Sequence, residues 1–74
     1  MTASGDGGFV TLNGRQLALE QADLAAFLGQ LGYGAERPGL AVAVNGQVVS
    51  RARWRGHRLR AGDEIEVVGA TQGG

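Results

Sequence analysis

The chain has 74 residues and a mass of 7.6 kDa, one domain that buries only about 60% of its unfolded surface and has no room for a deep active-site cleft. It has no cysteine, no lysine and one histidine, which excludes disulfides, thiolate metal sites, cysteine nucleophiles, P-loops, Schiff bases and histidine metal clusters. Formal net charge is zero, with no apolar run near the roughly 18 residues of a membrane span and no secretory leader, so the expectation is a cytoplasmic protein that is not a self-sufficient enzyme.

Residues 1–8, MTASGDGG, are small and polar and read as a disordered lead-in. FVTLN then alternates, with Val10 and Leu12 on one face and Phe9 and Thr11 on the other. Asn13 and Gly14 are the strongest short hairpin signal, because a type I′ turn needs positive φ at both central positions. The return strand RQLAL turns Leu17 and Leu19 inward. DLAAFLGQLG carries Leu24, Phe27, Leu28 and Leu31 at i, i+3, i+4 and i+7, one apolar stripe at helical period. Asp23 is its predicted N-cap and Gly32 its predicted stop. Pro38, in the loop YGAERPG, argues against further helix. LAVAVN sets Leu40, Val42 and Val44 against Ala41 and Ala43, and a second turn pair, Asn45 and Gly46, leads into QVVS.

The segment RARWRGHRLR holds five of the seven arginines: Arg51, Arg53, Arg55, Arg58 and Arg60. It is irregular, and Trp54 and Leu59 are its expected anchors in the core. A basic run around a tryptophan can mark a nucleic-acid site. Here Asp63, Glu64 and Glu66 follow directly and the total charge is balanced, so little long-range attraction for a polyanion remains and a solvated basic face is expected. In AGDEIEVVG a turn at Gly62 and Asp63 precedes a last strand, with Ile65 and Val67 inward and Glu64, Glu66 and Val68 outward. The two glutamates read as a solvated strand face, and His57 as a structural histidine.

The order strand, strand, helix, strand, strand, strand predicts an α+β domain: a mixed sheet of about five strands with one helix packed on one face, the β-grasp or ubiquitin-like arrangement. The folded domain spans residues 9–70, and residues 71–74 form a flexible tail ending in Gly73 and Gly74. On the sheet face away from the helix, parity exposes Phe9, Ala41, Ala43 and Val68, a small apolar patch expected to dock a partner beside the tail.

VAVNGQVVSRARW, the later HRLRAGDEIEVV and the final pair Gly73 and Gly74 together resemble the ThiS family of sulfur carriers in thiamine biosynthesis, over residues 9–74. Ser50 stands where that family commonly has proline, and the lead-in inherits no role. The resemblance implies a protein cosubstrate rather than an enzyme. A terminal carboxyl with a pKa of about 3.3–3.7 is ionised at neutral pH and is a poor electrophile, so it needs activation. In the family an E1-like adenylating enzyme of the ThiF type, using ATP and Mg, converts the carboxylate, here of Gly74, to an acyl-adenylate. Sulfur from a persulfide donor then displaces AMP. The resulting thiocarboxylate donates sulfur at a thiazole synthase of the ThiG type.

No cofactor intrinsic to the chain is implied. Gly73 and Gly74, lacking Cβ atoms, suit a narrow channel. Residues 70–74, including Ala70, Thr71 and Gln72, reach on the order of 15 Å at about 3.3 Å each. Phe9 and Val68 would dock the activating enzyme, with no nucleic acid or membrane partner. Neighbouring roles stay open on the sequence: a carrier for molybdopterin or tRNA thiolation, a ubiquitin-like modifier, or a small nucleic-acid-binding module.

Overall fold

Two Asn, Gly turns organise the sheet. In the computed structural model, which describes residues 8–34 and 38–69, strands β1 (Phe9–Leu12) and β2 (Arg15–Ala18) form one hairpin, and β3 (Leu40–Val44) and β4 (Gln47–Val49) form another. Both turns have positive φ throughout: 51° and 86° at Asn13 and Gly14, 52° and 84° at Asn45 and Gly46. These are the dihedral signs of type I′ turns, whose twist matches that of the flanking strands. The last strand, β5 (Glu64–Gly69), enters between the hairpins, parallel to β1 and antiparallel to β3. The resulting order is β2-β1-β5-β3-β4. Neither hairpin is a stable unit alone. The strand latest in sequence therefore joins the two halves.

Helix α1 (Leu24–Gln30) buries Leu24, Phe27 and Leu28 against Val10, Leu12, Val42, Val44, Ile65 and Val67 of the sheet. Asp23 caps its N-terminus, as expected, by accepting from the Ala26 amide. At the other end Gly32, with φ at 92°, donates to the Gly29 carbonyl, and the Tyr33 amide donates to that of Leu28. That pair of bonds is a Schellman motif, which satisfies carbonyls left open at a helix end. It also corrects one expectation. The stop turn begins at Leu31, which rotates off the apolar stripe and is 39% exposed.

The arginine-rich segment crosses the start of the helix. A 3₁₀ turn at Arg51–Arg53 leads to Trp54, whose Nε1 donates to the Val49 carbonyl at 3.0 Å. Trp54 and Leu59 are both core residues, as expected. Backbone bonds from Leu24 to His57, Ala25 to Trp54 and Leu59 to Ala22 fasten the segment to the helix. At the N-terminal end, the carbonyl of Gly8 accepts from Leu19, and an added Cβ there would lie 2.7 Å from that of Ala61. Gly8, expected in the lead-in, thus contacts the folded body.

Candidate functional site

The site expected from the sequence is the run that follows β5. Ala70, Thr71, Gln72, Gly73 and Gly74 lie outside the described residues, so the structure defines the platform that precedes them. That platform is β5 and the open sheet face around it. Ile65 and Val67 point into the core, while Glu64, Glu66 and Val68 face away from the helix. On one side β3 pairs along β5 from Val44 opposite Ile65 to Leu40 opposite Gly69. On the other side β1 pairs only where Thr11 faces Glu64 and Leu12 faces Ile65.

Past that point β1 turns away, and an asparagine takes over. The Asn13 backbone donates to the Ile65 carbonyl at 2.9 Å. Its side chain then accepts from the Val67 amide at 2.9 Å and donates to the Val67 carbonyl at 3.2 Å. Asn45, in the other turn, does comparable work at the start of β5. Its Oδ1 accepts from the Glu64 amide and its Nδ2 donates to Asp63 Oδ1. Asp63 in turn accepts from the Arg60 amide, closing the turn that launches the strand. The sequence reading uses both asparagines only as turn residues.

Val68 is 60% exposed and stands opposite Ala41. Beside them Ala43 stands between Glu66 and Val48, the latter 80% exposed. Val48, Ala43, Ala41 and Val68 thus form an apolar strip at the end of β5, with Glu66 on its edge. Val48 is not among the residues expected on this patch from the sequence. The signal is present in the alternation of β4, where burial of Val49 turns Val48 to the open face.

Phe9 occupies the expected face and is 55% exposed, yet it is not beside Val68. Its carbonyl accepts from Gly62, so it is level with the turn before β5. Val68 lies six positions beyond Gly62 along the chain, about 20 Å at about 3.3 Å per residue. Phe9 therefore has the expected face but is not level with Val68.

The other groups singled out from the sequence are set apart. Glu64 and Glu66 are exposed, and no group of three or more metal-ligating side chains occurs among the described residues. His57 lines two clefts: one with Ala52, Arg53, Arg55 and Gly56, and one that includes Asp63, whose carboxylate oxygens accept from Asn45 Nδ2 and the Arg60 amide. Trp54, the aromatic that would stack on a nucleic-acid base, is 2% exposed, with the Arg51 guanidinium 4.7 Å from its ring centroid. Base stacking needs an open aromatic face. No described helix is long and apolar enough to cross a membrane.

The model of the ThiS family matches residues 9–74. No curated protein matches the chain at a significant level. Among solved structures, the crystal structure of the thiamine biosynthesis protein (ThiS) from Geobacter metallireducens is similar, with a TM-score of 0.71 and 25% sequence identity. The match covers 89% of this chain and 99% of that one.

Proposed function

The chain belongs to the ThiS family, and on that premise we propose that it carries sulfur for thiamine biosynthesis as a thiocarboxylate on Gly74. The observation that carries this reading is the family match, which runs through the β-grasp body to Gly74 itself. The chemistry requires a partner. An ionised carboxylate resists attack by sulfur until its oxygen is joined to a good leaving group. An E1-like enzyme of the ThiF type supplies that group: the Gly74 carboxylate attacks the α-phosphorus of ATP, pyrophosphate leaves, and an acyl-adenylate forms. The outer sulfur of a persulfide donor then attacks the carbonyl carbon and displaces AMP, and a thiol cleaves the S–S bond of the resulting acyl disulfide, leaving the thiocarboxylate on Gly74 and the donor sulfur in a disulfide with that thiol. A thiazole synthase of the ThiG type receives the sulfur.

The chain's own contribution is presentation. The strip of Val48, Ala43, Ala41 and Val68 docks the activating enzyme, Phe9 touches only a partner broad enough to reach the far end of the face, and residues 70–72 carry Gly73 and Gly74 toward the nucleotide. The test is ATP–pyrophosphate exchange by the adenylating enzyme in the presence of this protein. Exchange should depend on the chain and fall on the order of a hundredfold when Gly74 is deleted, because the carboxyl is then misplaced by about 3 Å. Exchange at the wild-type rate with the deleted chain would overturn the assignment.

A further inference from the structure

We propose that Asn13 is a positioning residue for the reactive end of the chain: its side-chain amide stands in for a missing strand residue opposite Val67 and fixes the end of β5. The inference rests on the carrier reading and adds to it a residue that does not contact the reacting atoms. The geometry follows from strand alternation. Along β5, the carbonyls that face β1 belong to alternate residues: Asp63 accepts from Thr11, and Ile65 accepts from Asn13. The next in that series is Val67. By then the β1 backbone has entered its turn, with Asn13 at φ 51° and Gly14 at φ 86°.

One side chain answers both backbone groups of Val67. Oδ1 of Asn13 accepts from its amide, and Nδ2 donates to its carbonyl, across 54 residues of sequence. With carboxyl groups ionised at neutral pH, a carboxamide is the side chain that offers a donor and an acceptor side by side in this way. The turn alone does not demand it, since aspartate and glycine also serve type I′ turns. Val67 lies two residues before Gly69, where β5 ends, so this anchor sets the point from which the chain leaves the sheet. Asn45 is a built-in comparison. Its Oδ1 likewise accepts from a backbone amide, that of Glu64 at the opposite end of the strand, while its Nδ2 donates to the Asp63 carboxylate.

The test compares Asn13→Gly and Asn13→Asp with Asn45→Gly. Each keeps a residue that tolerates positive φ; the aspartate keeps the acceptor for the Val67 amide but sets an oxygen against its carbonyl. Two readouts are taken: amide hydrogen exchange by NMR along β5, and the kcat and KM of the adenylating enzyme for each chain, at temperatures where all remain folded. We expect exchange at the Val67 amide to rise at least about tenfold in Asn13→Gly, and by less in Asn13→Asp, which keeps the acceptor for that amide and loses the bond to the carbonyl. Their kcat should fall about tenfold while KM stays within about twofold, the pattern of lost positioning with docking intact.

Asn45→Gly should leave kcat near the wild-type value. An equal kcat loss in Asn45→Gly, or wild-type kcat in Asn13→Gly, reduces Asn13 to an ordinary turn residue and overturns the proposal. Val67 protection that survives in Asn13→Gly overturns the anchor by itself. If the wild-type chain accepts no adenylate, the carrier reading falls and this role falls with it.

Discussion

Asp23 shows how much one short side chain can join. Its Oδ1 accepts from the Gly56 amide at 2.6 Å, its Oδ2 from the Ala26 amide at 3.2 Å, and its carbonyl from Phe27. The helix start and the arginine-rich segment are thereby tied at one residue. The bond from Gly56 is the main cause that holds the Asp23 carboxyl below its ordinary value of 3.8; the Ala26 and Ala25 amides and the charge of Arg55 add to it, and desolvation opposes them. A folded-state pKa below the unfolded one contributes stability that is present above 3.8 and is lost as pH falls through the lowered value. Asp23→Asn removes that titration. Thermal melts of wild type from pH 6 downward should therefore show a steeper loss of Tm below about pH 4 than melts of the variant. Parallel curves for the two proteins would show that Asp23 does not contribute to the acid limb.

At the scale of elements, periodicity was informative where an element is long compared with its repeat. The alternation of Leu40, Val42 and Val44 reads directly as an inward face, and both Asn, Gly pairs are hairpin turns. Helix α1 has only seven residues, too few for an i+7 position to stay on its stripe, and Gly32 rather than the apolar pattern decides where it stops. Parity assigns Phe9 and Val68 to one face, but their height on that face depends on which strands pair and in what register. That information is held in the sheet and not in either strand's sequence. The side-chain bonds of Asn13 and Asn45 escape for a related reason: both residues satisfy a local turn rule completely, and nothing local shows that their amides reach a distant strand.

Register also yields a graded prediction for docking. Val68→Asp and Val48→Asp alter exposed side chains on the apolar strip, so the fold should persist and KM for the adenylating enzyme should rise about tenfold or more. Phe9→Asp, about 20 Å away, should change KM less than about threefold. The check is steady-state adenylation alongside circular dichroism. An effect of Phe9→Asp equal to that of Val68→Asp would place the docking surface elsewhere.

On the scale of the whole molecule, the described chain is a platform with little chemistry of its own. Its core is entirely apolar among the described residues, its carboxylates are exposed or committed to turns and a helix cap, and its tryptophan is sealed. The β-grasp fold brings the last strand to the middle of the sheet, where β3 holds it as far as Gly69 on one side and the Asn13 side chain as far as Val67 on the other.

The central claim is that Gly74 is the atom-bearing end of a sulfur carrier, and intact-mass spectrometry tests it most directly. Protein is incubated with ATP, the adenylating enzyme, a persulfide donor and a thiol reductant, and its mass is compared before and after. Wild-type chain should gain about 16 Da as one terminal oxygen is replaced by sulfur, whereas the Gly74 deletion and Gly74→Ala should gain little or none. A truncated chain that acquires the same mass at the wild-type rate would contradict the account.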